Sequence, residues 1–214
     1  MQRRDFLTYS SVLAAGLVLS PAIVLGGFSQ AAAQDVDVNG ILNDPEAPVG
    51  GNLKGDLTIV VFGDYNCPFC KKSGAALQKI VKEDGNIRLV YKEWPILTES
   101  SVYGSQLALA ANYQGKYELV HKALMAIPGG RVSQKQMLDA VKASGIDMKR
   151  LQADLNKNND KITSQLKRVM SQAESIGIEG TPTHLIGPFR AMALDYEGFK
   201  MAVADARARE KSAK

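Results

Sequence analysis

Two cysteines stand three positions apart in the 214-residue chain, as Cys67-Pro68-Phe69-Cys70, and no third cysteine accompanies them. The β-branched run from Leu57 to Phe62 precedes them as a predicted strand, and helical periodicity follows, so the pair falls where a strand gives way to a helix. Pro68 suits the first helical position, because it lacks an N–H that would have no partner there and its φ is already helical. Cys67 is then the N-cap, and its side chain accepts from the N–H groups of Phe69 and Cys70. A thiolate there is also solvated by the positive end of the helix dipole, surroundings that lower a cysteine pKa from ~8.5 to roughly 3.5–7.5. Lys71 and Lys72 add positive potential. Cys70 lies one turn on along the same face, close enough for the two sulfurs to join. Cys67 is expected to be the exposed attacking thiol and Cys70 the more buried resolving one, which are the parts that thiol–disulfide exchange requires.

Two other uses of the pair stay open at this level. A zinc site needs more ligands, and the only histidines, His121 and His184, fall on a predicted helix and a predicted strand rather than at local ligand spacing. A structural disulfide is the other, although closing so short a loop removes little unfolded-state entropy. Composition narrows the class further: 45% hydrophobic, 22% charged and 7% aromatic residues exclude collagen-like, low-complexity and disordered chains. Two cysteines exclude a disulfide-dense scaffold. The net charge of +4 supports no nucleic-acid role, since the cations are scattered among acids and the Arg207–Lys214 cluster reads as the solvated end of the last helix.

The elements that must position the pair follow from patterning. Leu57–Phe62, the helix after Cys67 that ends near Asp84-Gly85, and a strand from Ile87 to Trp94 stopped by Pro95 make a βαβ unit with a parallel pair. From about Thr98 to Ile176 strand signals vanish. Val120, Leu124 and Ile127 share a helical face closed by Pro128-Gly129-Gly130, and Ser133 with Gln136 forms a capping box. Asp147 caps a short helix carrying Leu151 and Leu155, followed by a longer one through Ile162, Leu166, Val169, Ala173 and Ile176 that Gly177 closes. Strand character returns at Thr183–Ile186 and around Ala191–Leu194, before a last helix through Phe199, Val203 and Ala206. Residues 34–56 read as an irregular lead-in. The order is βαβ, a helical block, then ββα, as if the block were inserted into a small α/β domain.

The first 33 residues carry a basic start, an apolar middle from about Ser11 to Phe28, and Ala31-Ala32-Ala33, the parts of a cleavable export signal. Arg3-Arg4 with Phe6-Leu7 is similar to a twin-arginine signal, with general secretion and a retained membrane anchor as the alternatives. Cleavage is expected before Gln34, with export to an oxidising compartment, the periplasm.

Phe62-Gly63-Asp64-Tyr65-Asn66 leading into the cysteine pair, Lys92-Glu93-Trp94-Pro95-Ile96-Leu97, and Gly180-Thr181-Pro182-Thr183 occur in this order. Together they resemble the DsbA-like branch of the thioredoxin superfamily, with closest similarity to periplasmic DsbA/ScsC-type proteins, over nearly all of residues 45–210. The resemblance implies a thioredoxin-like α/β fold with a central mixed sheet over residues 57–214, interrupted by a helical insertion at about 98–177. It implies Cys67 and Cys70 as the catalytic pair, Pro68-Phe69 as the active-site dipeptide, and a cis Pro182 beside Cys67. Thr181 would offer its backbone to a substrate strand as a short β-augmentation. His184 is expected in a core or edge position. Glu93 is either a buried proton-transfer group or a strand-end charge facing solvent. No cofactor and no metal are expected, since sulfur–sulfur exchange needs neither. The implied activity is oxidation of reduced or misfolded envelope proteins by a monomer recharged by a membrane oxidase. The alternatives are a reductase or isomerase served by a membrane reductant, and a copper-binding or chaperone-like module using the same soft thiolates.

Overall fold

The computed structural model describes residues 36–212. The export signal expected over residues 1–33 lies outside the described residues. Among the described residues no helix is long and apolar enough to cross a membrane.

The βαβ unit is present. β2 (Leu57–Gly63) and β3 (Ile87–Glu93) run parallel, from Leu57 opposite Ile87 to Gly63 opposite Glu93, joined by α2 (Pro68–Asp84). The continuous apolar run of β2 follows from burial on both faces, with Ile59, Val60 and Phe62 fully covered. Gly85 ends α2 in the left-handed conformation at φ 72°, where a glycine carries no Cβ penalty. Between β3 and the next strand the chain is wholly helical: α3 (Glu99–Asn112), α4 (Tyr117–Met125), α5 (Gln134–Ala143) and α6 (Met148–Ser175). The capping box of Ser133 and Gln136 starts α5 as expected. β4 (Thr183–Ile186) returns antiparallel to β2, β5 (Phe189–Ala191) pairs antiparallel with β4, and α7 (Tyr196–Ser212) closes the described chain. With β1 (Val49–Gly51) antiparallel on β3, the sheet is mixed, in the order β1-β3-β2-β4-β5.

Four expectations need correction. The 34–56 segment is not irregular throughout: it holds α1 (Val38–Leu42), capped by Asp37, as well as β1. Elements of five and three residues are too short to show a period, and tertiary contacts hold them, with Ile41 and Ala47 packed in a core with Val60, Phe62, Val90 and Trp94. The two helices read over 148–176 are one helix of 28 residues, α6. Its polar middle contains neither Gly nor Pro, and Asn158 donates back to the Asp154 carbonyl at 2.9 Å. The last strand lies at Phe189–Ala191, because the tight return at Gly187 (φ 53°) sets Ile186 opposite Phe189. Arg207 is not merely solvated: its guanidinium holds Asp56 at 2.7 Å and Asp84 at 2.6 Å, tying α7 to the starts of β2 and the end of α2.

The two faces of β3 diverge at its end, where Lys92 and Glu93 are both buried, 1% and 5% exposed. Lys92 points to the α1–α6 side and donates to Asp44 Oδ2 at 3.0 Å, while Arg168 of α6 also donates to Asp44, at 3.2 Å. Burial pushes the Asp44 carboxyl up, but hydrogen bonds from Arg168 and Lys92 outweigh it and hold the pKa below the ordinary carboxylate range. A depressed carboxylate adds stability that is present above its unfolded value near 3.9 and lost as the pH falls through its folded value. Asp44→Asn leaves the Lys92 cation buried without its counter-charge. It is expected to lower unfolding free energy by about 3 kcal/mol at pH 7, with the difference from the parent shrinking below pH ~4, as read by urea denaturation at both pH values.

Candidate active site

Cys67 caps α2 as its position demands. Its backbone is extended (φ −83°, ψ 115°), Pro68 occupies the first helical turn, and the Cys70 N–H donates to Cys67 Sγ at 3.3 Å. Both cysteines carry free thiols. The Thr181–Pro182 peptide is cis, as the resemblance implied, and brings the Thr181 carbonyl to 3.1 Å from Cys67 Sγ, where it accepts from the thiol. That contact corrects one expectation. Cys67 is not the exposed member of the pair, because both cysteines are 3% exposed.

What separates the two sulfurs is their hydrogen bonding. The Cys67 pKa falls to about 6: the hydrogen bond from the Cys70 thiol lowers it most, burial opposes, and the Thr181 side-chain hydroxyl and the backbone N–H groups of Cys70 and Phe69 add to the fall. The Cys70 thiol is pushed far up, first because it donates to Cys67 and then by its burial. The arrangement therefore favours the thiolate at Cys67 over one at Cys70, and loss of the Cys67 proton ends its donation to the Thr181 carbonyl. Phe69, between them, is 65% exposed and offers an apolar surface rather than a hydrogen bond.

The loop that presents Cys67 is fixed by two buried polar residues whose role was not evident from spacing. Asp64 accepts from the Asn66 N–H at 2.7 Å, from the Ser101 hydroxyl at 2.6 Å and from the Leu97 N–H at 3.0 Å. The Asn66 amide accepts from the Val132 N–H at 2.7 Å and donates to the hydroxyls of Thr98 and Ser100 at 2.7 and 2.8 Å. The residue before Cys67 thus clasps both the entry to the helical block, where Thr98 caps α3, and the 127–132 loop near its middle. Lys71 holds the same loop from the helix side, donating to the carbonyls of Ile127 and Gly129 at 2.6 Å each. A Cβ at Gly130 would come within 2.9 Å of the Pro68 ring, so glycine is what permits this close approach. The only sequence signal was polarity: Asp64, Asn66 and the Thr98–Ser101 run are hydroxyl- and amide-rich where the chain passes into the interior.

Glu93 is the buried alternative of its two readings. It accepts from Tyr65 at 2.7 Å, from Ser105 at 2.6 Å and from the Tyr117 hydroxyl. Burial lifts its pKa to about 7 against the pull of these three donors. His121 lies beside Tyr65 at 2.9 Å and is held neutral by burial, its pKa lowered to about 4. His184 is a core residue, stacked edge-on against Phe199 with 4.9 Å between ring centres. Cys70, Glu93, His121 and His184 all line one cavity of about 240 Å³. Among the described residues, no three Cys, His, Asp or Glu side chains are grouped so as to hold a metal ion.

Residues 43–205 match the thioredoxin family. In three dimensions the chain is similar to a thioredoxin-like oxidoreductase from Silicibacter pomeroyi DSS-3, at 38% identity and a TM-score of 0.74, covering 79% of this chain and 97% of that one. It is similar to the catalytic domain of Proteus mirabilis ScsC (26% identity, TM-score 0.72, 79% and 94% covered). It is also similar to the thiol-disulfide exchange protein alpha-DsbA2 of Wolbachia pipientis (28%, 0.72, 78% and 90%). By sequence, 147 residues are 26% identical to a Na(+)/H(+) antiporter NhaA 1 of Salinispora arenicola, and the chain spans about a quarter of the length of the curated relatives it matches (22% for that one).

The two thiols are expected to titrate apart. Alkylation of the dithiol protein by iodoacetamide, followed by peptide mass spectrometry, should modify Cys67 with a midpoint near pH 6 and leave Cys70 unmodified at that pH. A Cys67 midpoint at the ordinary value of about 8.5 contradicts the assigned asymmetry.

Proposed function

The chain belongs to the thioredoxin family, and from that membership we propose that it is an exported thiol–disulfide oxidoreductase of the DsbA/ScsC type, working as a dithiol oxidase on reduced or misfolded envelope proteins. The observation that carries the oxidase reading is the place of Cys67 as N-cap of α2, where the Cys70 N–H donates to its Sγ at 3.3 Å and its pKa is lowered. A thiolate stabilised in the dithiol form makes that form the lower in free energy, and the disulfide correspondingly more oxidising. A likeness to a periplasmic thioredoxin-like protein of Salmonella enterica serovar Typhimurium, 25% identical, supports export.

In this reading Cys67 and Cys70 are the catalytic pair, and a substrate thiolate attacks the Cys67 sulfur of their disulfide. The Cys67–Cys70 bond breaks, a substrate–Cys67 bond forms, and Cys70 departs and takes up a proton. Thr181 and Pro182 hold the mixed disulfide. The Thr181 carbonyl now taken by the Cys67 thiol is free to accept from a substrate N–H once Cys67 has no proton to give. A second substrate thiolate attacks the substrate sulfur, Cys67 leaves as the stabilised thiolate, and the substrate departs oxidised by two electrons. Pro68 sets the first turn of the helix, and Phe69 presents an apolar contact beside the reacting sulfur. Glu93 shares the cavity with Cys70 and has a pKa of about 7, so it is placed to exchange a proton with that thiol. A membrane oxidase restores the disulfide.

Equilibration with glutathione buffers tests direction. The Cys67–Cys70 couple is expected above about −200 mV, in the range of oxidants, and a value below about −250 mV supports a reductase instead. Cys67→Ser should abolish exchange, whereas Cys70→Ser should accumulate the substrate mixed disulfide on non-reducing gels.

A further inference from the structure

The reacting sulfur of Cys67 is no part of the cavity of about 240 Å³ that lies between the sheet and helices α2 and α4. Val61 and Gly63 of β2 form its floor, Gly74 and Ala75 of α2 one side, and Met125 and Ala126 of α4 the other. A Cβ on Gly63 would stand 4.0 Å from the Met125 methyl group, and one on Gly74 meets no atom within 4 Å, so neither glycine's place is filled by a neighbour. An apolar cavity of about 150 Å³ is enough to hold benzene. The volume here therefore suits one substituted aromatic ring, and it lies below the roughly 300–1,000 Å³ of pockets for drug-sized ligands. Lys71 and Lys122 also line the cavity, but the Ile127 and Gly129 carbonyls already hold Lys71, and Glu118 pairs with Lys122 at 3.8 Å. No unpaired counter-charge awaits an ion, so the fitting ligand is neutral.

His121 supplies the polar contact. The Tyr65 hydroxyl donates to Glu93 at 2.7 Å and lies 2.9 Å from His121 Nδ1. A hydroxyl has one proton to give, and this one is spent on Glu93, so the imidazole is the donor in the second contact. The Tyr117 hydroxyl, 3.4 Å from the same Nδ1, likewise gives its proton to Glu93. Nδ1 thus carries the proton and Nε2 the lone pair. Both hydrogen-bond contacts of the ring run through Nδ1, which faces inward, and Nε2 lies on the opposite edge with no donor. His121 is half-buried and lines the cavity, whereas the Nε2 of His184 is sealed from it. Tyr91 and Tyr117, with ring centres 4.9 and 5.5 Å from the imidazole, make the adjoining wall aromatic, a surface on which another ring packs well.

We propose that this cavity binds a neutral phenol, with the ring lying among Val61, Gly74 and Met125 and the phenolic O–H donating to His121 Nε2. A free phenol and the tyrosine side chain of a polypeptide share this chemistry. The inference rests on the cavity and the imidazole, and it holds whichever way the cysteine pair exchanges.

The test titrates the isotope-labelled full chain with p-cresol and follows backbone amide shifts by nuclear magnetic resonance, at about pH 8, above the Glu93 pKa of about 7, where both tyrosines donate to its carboxylate. Saturable shifts around Gly74 and His121 are expected, with a dissociation constant on the order of 1 mM. His121→Phe keeps an aromatic ring against Tyr91 and Tyr117 but removes the acceptor. It is expected to weaken p-cresol about fivefold and to leave toluene, which has the same ring and methyl group without the O–H, unchanged. Gly74→Leu, which favours the helix and fills the open flank, is expected to weaken both about tenfold or more. N-acetyltyrosinamide separates the sources: tighter binding than p-cresol at the same amides supports the site as one for a polypeptide side chain, and weaker binding there supports it as one for a free phenol. Shifts located elsewhere, no saturation by about 10 mM p-cresol, or equal effects of His121→Phe on p-cresol and toluene overturn the inference.

Discussion

One hydrogen bond, from the Cys70 N–H to Cys67 Sγ across the first turn of α2, is the contact on which the rest of the site depends. It exists because Pro68 begins the helix and leaves Cys67 outside it as the cap. The same turn sets the two thiols, equally covered by protein, in unequal roles: the Cys70 thiol donates to Cys67, the largest cause of their difference, and the N–H adds to it, while Cys70 itself faces the sheet and an apolar cavity. The direction of exchange proposed for the pair derives from that inequality.

The surrounding structure keeps this turn in place by burying polar groups in pairs rather than by apolar packing alone. Asp64 and Asn66 fix the residues before Cys67 to both ends of the gap between β3 and α5, through Leu97, Thr98 and Val132. Lys71 fixes the first turn to the 127–129 carbonyls. Buried polar networks of this kind specify one arrangement, because every alternative leaves donors or acceptors unpaired at about 1–3 kcal/mol each. The helical block is accordingly more than an insertion beside the cysteine pair. It is hydrogen-bonded to the residue next to the reacting sulfur.

The strands and helices with strong periods were legible in the chain: β2, the start and end of α2, β3, the capping box of α5 and β4 lie at or within a residue or two of where patterning puts them. What was illegible was either short or long-range. α1 and β1 have too few residues for a period and owe their order to the core around Phe62 and Trp94. The Asn-rich middle of α6 imitates a break. In the site, Cys67 as N-cap follows from Pro68 alone, yet its cover by Thr181 does not, because that contact joins residues 114 positions apart. The partners of Asn66 and Glu93 are likewise set by which helices happen to meet there, and no spacing rule reaches across the insertion to find them.

The central claim is that the fold stabilises the Cys67 thiolate, and the most direct test is the melting temperature of the dithiol and disulfide forms across pH. A cysteine whose folded pKa is depressed adds stability that is fully present above its unfolded value near 8.5 and lost as the pH falls through its folded value, here about 6. The dithiol form should gain on the disulfide form as the pH rises from 6 to 8.5, and melt above it at the upper end. A gap that does not change with pH over that range, or a disulfide form that melts higher at pH 8.5, would contradict the account.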